Sequence, residues 1–118
     1  MSTSKKKLLS YGQLQAVARL FHVLSEPSRL ALLHALRNGP LTVTELIEAC
    51  DMKQANVSKH LGVLHSHHLV KRERQGISIR YDIADPMIFP LCDLVCGKME
   101  RDARHAAQLF AEPNSKKR

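Results

Sequence analysis

Two groups of side chains in this sequence carry chemistry. The first lies between residues 53 and 80: Lys53, Gln54, Asn56, Ser58, Lys59 and His60 fall around the apolar positions Val57, Leu61 and Leu64, and Lys71, Arg72, Arg74 and Arg80 follow soon after. Gln54 and Asn56 each offer a donor and an acceptor, the combination that can read an adenine edge, while Ser58, Lys59 and His60 suit phosphate or base contacts. Residues 53–80 hold six basic side chains and one acidic one, so most of the net charge of +7 sits in that stretch. Such a distribution favours a polyanionic partner. Any soluble helix has a polar face, but a basic segment directly beside it makes nucleic acid the better reading.

The second group is thiol. Cys50, Cys92 and Cys96 are odd in number and unevenly placed, which does not fit a secreted disulfide framework, so reduced thiols are expected. Four-residue spacing on a helix sets the Cβ atoms of Cys92 and Cys96 about 5–6 Å apart, beyond the roughly 3.5–4.5 Å of a relaxed disulfide. Chelation fits that spacing better, with Cys50 or a ligand from a second copy as third donor to trivalent arsenic or antimony, lead, cadmium or copper(I). Two other readings stand beside it: a disulfide or polysulfide bridge from Cys50 to a last-helix thiol, and plain packing of Cys92, Cys96 and Met99 as one stripe. His65, His67 and His68 read as polar surface groups rather than zinc ligands.

The elements that position these groups are legible in the periodicity. Leu14, Val17, Leu20, Phe21 and Leu24 recur at spacings of three and four, the stripe of a first helix. Ser25-Glu26-Pro27-Ser28 supplies a cap and a first-turn proline for a second helix, whose stripe of Leu30, Leu33 and Leu36 ends at Asn38-Gly39-Pro40. Thr42 and Glu45 form a capping box for a short third helix to about Ala49. Asp51 is the expected N-cap of a fourth, running to about Ser66 on Val57, Leu61 and Leu64. The period then drops to two: Ile77, Ile79, Tyr81 and Ile83 predict a half-buried strand, Leu69-Val70 supplies its partner, and Arg74-Gln75-Gly76 forms the hairpin tip. Asp85-Pro86 opens a last helix, where Pro90 requires either a start near that residue or an irregular first turn.

With 44% hydrophobic and 25% charged residues in 118, the chain reads as one globular domain over residues 11–110, flanked by flexible basic segments at 1–10 and 111–118. No apolar run approaches the roughly 18 residues of a membrane span, and the lysine-containing start lacks the apolar core of a signal peptide, so a cytoplasmic protein is expected. No glycine-rich phosphate loop, zinc-protease motif or set of nucleophile, base and orienter is present, and no enzyme is expected.

From Phe21 to Ile83 the sequence closely resembles the ArsR/SmtB family of bacterial transcriptional repressors, through LSEPSRLALLHAL, LTVTELIEA, ANVSKHLGVLHSHHLVKRERQG and IRYDI. The resemblance implies a winged helix-turn-helix, mainly α with a β-hairpin wing, of about five helices and two strands. It implies a homodimer paired through its first and last helices on a palindromic double-stranded operator, with DNA released when a metal, metalloid, sulfur species or oxidant engages a sensor site. Several family sensor sites are missing. Thr42, Thr44 and Ile47 stand where the third-helix thiolate site needs cysteines; Met87, Lys98 and Arg101 accompany Asp85 where the last-helix zinc site needs ligands. The recognition-helix cysteine pair meets Val63 and His67, and the second-helix thiol meets His34. Cys50, Cys92 and Cys96 remain as sensor candidates, with a soft metal or metalloid as the possible bound ion. The alternative function is a small thiol-based metal-binding or adaptor protein that does not bind DNA; steep weakening of duplex binding by salt separates the two.

Overall fold

The computed structural model describes residues 7–111. The remainder of the two expected flexible basic ends, 1–6 and 112–118, lies outside the described residues. The chain divides into two compact units, Met1–Ala84 and Asp85–Arg118.

In the first unit, α1 (Tyr11–Leu24) begins with a capping box: Gln13 N–H donates to Ser10 Oγ (3.1 Å) and Ser10 N–H to Gln13 Oε1 (2.8 Å). Only its C-terminal end is buried, at Val23 and Leu24. Glu26 caps α2 (Pro27–Ala35) by accepting from Ser28 N–H, and Pro27 occupies the first turn, where no intrahelical N–H is missed. The helix tightens into a 3-10 turn over Leu36–Asn38 and stops at Gly39, whose φ of 135° is open to glycine. Its core face is Leu32, Leu33 and Leu36; Leu30, expected inside, is exposed.

Strand β1 (Leu41–Thr42) leads directly into α3 (Val43–Cys50). The Thr42–Glu45 box closes as the sequence implies, at 3.2 Å and 2.8 Å, a device worth about 1 kcal/mol. Asp51 does not cap the next helix. It terminates α3 in the left-handed conformation (φ 52°, ψ 53°), and Lys53 is the N-cap residue of α4 (Gln54–Ser66). A short carboxamide or carboxylate side chain tolerates that conformation better than most residues, so the aspartate serves the outgoing helix rather than the incoming one.

Leu46 of α3 and Val57, Leu61 and Leu64 of α4 are fully buried, and α2, α3 and α4 pack on one another. Strands β2 (Val70–Gln75) and β3 (Ser78–Ile83) form an antiparallel hairpin, from Val70 opposite Ile83 to Gln75 opposite Ser78. The tip is Gly76-Ile77, one residue later than the spacing indicates, with Gly76 at φ 63°. Ile77 therefore leaves the strand pattern and stands in solvent. A third strand is present: β1 pairs with β3, placing Leu41 opposite Tyr81, in the order β1-β3-β2.

The second unit contains α5 (Ile88–Ala111). Asp85 Oδ1 accepts from Met87 N–H, and Phe89 N–H donates to the Pro86 carbonyl. Pro90 is the third helical residue, where its missing N–H costs no internal bond. Lys98 and Asp102 form an i,i+4 ion pair at 2.6 Å. Leu94, Val95, Cys96 and Met99 are all exposed and Cys92 is half-buried. No described helix is long and apolar enough to cross a membrane.

Candidate nucleic-acid interface

The apolar positions of α4 fix its orientation. With Val57, Leu61 and Leu64 inward, Lys53, Gln54, Asn56, Ser58 and Lys59 are all exposed around its N-terminal half. That end of a helix also presents unpaired N–H groups and the positive pole of its dipole, which adds to attraction for phosphate.

His60 departs from the expected set. Only 6% of it is exposed, and its Nδ1 accepts from Arg29 Nε–H at 3.3 Å. Arg29 Nη1 also donates to the Val23 carbonyl at the end of α1 (3.1 Å). One guanidinium thus joins α1, α2 and α4, and His60 belongs to the scaffold that aims α4 rather than to the surface that meets a ligand. Burial, helped by the charges of Lys59 and Arg29, holds its pKa below the ordinary 6.5, while Glu26 pulls weakly the other way. The unfolded chain therefore takes the proton more readily. The stabilisation at this site is complete above about pH 6.5 and fades as the pH falls through and below that value toward the lower folded pKa. Urea midpoints should accordingly drop between pH 7.5 and 5.5, and His60→Asn, which keeps an acceptor near Nδ1 but cannot titrate, should flatten that drop.

The hairpin sorts its charges by face. Alternation puts Lys71, Glu73, Arg80 and Asp82 on one side, where Lys71 lies opposite Asp82 and Glu73 opposite Arg80. Arg80 also lies 3.8 Å from Glu45, whose carboxylate pKa is lowered mainly by its bond to the Thr42 backbone. Arg72 and Arg74 are on the other side, opposite Tyr81 and Ile79, with no carboxylate across the strand. The four basic side chains of the hairpin are therefore unequal: Lys71 and Arg80 stand across from carboxylates, whereas the exposed Arg72 and Arg74 stand across from Tyr81 and Ile79.

The thiols are unequal too. Cys50, at the end of α3, is half-buried; its Sγ donates to the Ala31 carbonyl (3.6 Å), and burial pushes its pKa up. That makes it a poorer source of thiolate than an unburied cysteine. Cys92 is half-buried and Cys96 exposed, one helical turn apart on α5. Among the described residues no group of three His, Cys, Asp or Glu side chains is placed to hold a metal ion.

A helix-turn-helix domain family matches residues 24–73, from the end of α1 into β2. The structure is similar to that of the AntR antimony-specific transcriptional repressor, with a TM-score of 0.74 and 35% identity over 84% of this chain and 90% of that one. The chain belongs to the ArsR/SmtB family. Another structure in this fold group is the homodimeric winged helix-turn-helix DNA-binding domain Mb0332 from Mycobacterium bovis, a possible ArsR-family regulator, with a TM-score of 0.70 and 30% identity over 80% of this chain and 87% of that one. In sequence, the transcriptional regulator NmtR of Mycobacterium tuberculosis is 47% identical over 77 residues, 65% of this chain and 64% of that protein. The chain thus spans a little under two thirds of the length of such curated relatives. For an ArsR/SmtB protein, α3 and α4 are the helix-turn-helix and β2–β3 the wing, and the described residues hold five α-helices with a three-stranded rather than two-stranded sheet. Arg29 is the scaffold residue that periodicity missed: a cation at the start of a largely apolar helix was its one signal.

Proposed function

We propose that this ArsR/SmtB chain is a sequence-specific DNA-binding transcriptional repressor that acts as a homodimer and leaves its operator when a thiol-reactive inducer engages Cys92 and Cys96. The observation that carries the reading is the pairing of an exposed polar half-helix, Lys53 to Lys59, with a wing whose Arg72 and Arg74 have no carboxylate across the strand. Gln54 and Asn56 supply base-reading groups, Lys53 and Lys59 phosphate contacts, and Val57, Leu61 and Leu64 hold the helix to its core.

A homodimer is supported by apolar side chains open to solvent on α1, at Leu14, Val17 and Phe21, and on α5, at Leu94, Val95 and Met99. Two copies double the contacts and suit a palindromic site. AntR, named for antimony, supports a soft inducer. Cys92 and Cys96 would supply two thiolates, with a further donor from outside this pair, and the bound ion would supply a soft Lewis-acid centre that holds sulfur donors strongly.

The test is a fluorescence-anisotropy titration of the chain on its upstream intergenic duplex, repeated with arsenite, antimonite, cadmium, copper(I) and polysulfide. At least one reagent should weaken binding about tenfold or more, a coupling of about 1.4 kcal/mol, and the Cys92→Ser/Cys96→Ser variant should bind DNA without responding. Absence of any duplex affinity would overturn the repressor reading. Normal affinity with no response to any reagent would overturn only the thiol part.

A further inference from the structure

We infer that the wing enters the DNA minor groove by one face only, the Arg72/Arg74 face, and that Ile77 at its tip is an apolar wedge selecting A·T pairs outside the stretch read by α4. This rests on the repressor reading and assigns a residue that the recognition helix does not supply.

The two faces of the hairpin differ in what they offer. On one of them each cation stands across from a carboxylate, Lys71 opposite Asp82 and Arg80 opposite Glu73, and Arg80 also lies 3.8 Å from Glu45. The other alternates cation and hydrocarbon: Arg72 across from Tyr81, Arg74 across from Ile79. Arg72, Arg74 and Ile79 line an open groove of about 400 Å³. Beyond it, Ile77 is 99% exposed in a two-residue turn after Gly76. A position in such a turn is ordinarily filled by a small polar residue, and this isoleucine touches nothing that would compensate for hydrating it.

A partner that fits must be anionic at its rims and apolar between them. The minor groove meets both conditions, with phosphates along both edges and deoxyribose C–H groups forming the walls, and apolar side chains inserted there wedge against base steps. Its floor is open at A·T pairs, whereas each G·C pair raises the guanine 2-amino group into it. A branched hydrocarbon tip can make no hydrogen bond to that amino group and is excluded by it.

An inosine exchange isolates this contact, because an inosine·C pair keeps the major-groove pattern of G·C and lacks the 2-amino group. Duplexes bound by the full-length chain are first selected from a random library. Pairs flanking the α4 half-sites are then changed one at a time from A·T to G·C and to inosine·C. At the wing position, wild type should bind A·T and inosine·C alike and G·C about tenfold less tightly. Ile77→Thr should reduce this difference to under about twofold and Ile77→Val should keep most of it; Arg72→Ala/Arg74→Ala should weaken binding far more than Lys71→Ala/Arg80→Ala. Inosine·C behaving like G·C at every flank, full discrimination by Ile77→Thr, or equal losses from the two double variants would overturn the inference while leaving the repressor reading intact. A wild-type chain that selects no duplex would overturn both.

Discussion

Raising the salt concentration from 50 to 200 mM is expected to weaken operator binding by about 10³–10⁵-fold. Lys53, Lys59, Arg72 and Arg74 are exposed and placed to neutralise phosphate, so a homodimer presents eight such groups. Each neutralised phosphate contributes about −0.9 to the slope of log K against log salt, giving a total near −7. Arg72→Ala with Arg74→Ala should make that slope shallower by roughly 3.6. Lys71→Ala with Arg80→Ala should change it little, because those cations already face Asp82 and Glu73. Anisotropy titrations at four salt concentrations measure these slopes. A wild-type slope shallower than about −2 is too small for the proposed contacts and would contradict them.

Leu61→Ala should cost about 2–5 kcal/mol of folding stability, a large part of the roughly 5–15 kcal/mol available to a domain. Leu61 is fully buried in α4, between Val57 and Leu64, where the helix packs on α2, α3 and β2. Truncation there removes hydrocarbon contacts and leaves a cavity that backbone fixed on three sides closes poorly. The urea midpoint should fall with little change in the dependence on denaturant. DNA affinity should fall as well, since the polar groups of α4 are aimed by its buried side. A loss below about 1 kcal/mol would mean that the helix is held by something other than this core.

The legibility of the fold follows the range of the interactions involved. The Thr42–Glu45 box closes over three residues, and the strand alternation around Ile79, Tyr81 and Ile83 is equally local; both could be read from the chain. α2 was harder, because Leu30, Ala31, Leu32, Leu33, Ala35 and Leu36 place hydrocarbon around most of its circumference. Spacing could not choose Leu32 over Leu30; packing by α3 and α4 did. His60 is hidden from the spacing for a related reason: a polar residue beside Lys59 looks like surface until Arg29, 31 positions earlier, is seen to satisfy it. Asp51 suits two roles, and which helix it serves depends on the backbone around it. The two-residue β1 is too short to show a period at all. Within the candidate site the types of the cations were legible, but which of them stand across from a carboxylate needed the hairpin register.

The open hydrocarbon along α1 bears on how the protein would behave at different amounts. Leu14, Val17 and Phe21 are 49%, 41% and 52% exposed in the lone chain. If a second copy covers them, the species that reads DNA is the pair, and at low abundance pairs accumulate with the square of the number of chains. Doubling synthesis then raises the number of pairs about fourfold. Small changes in production or turnover would be amplified into steep changes in promoter coverage, independently of any inducer.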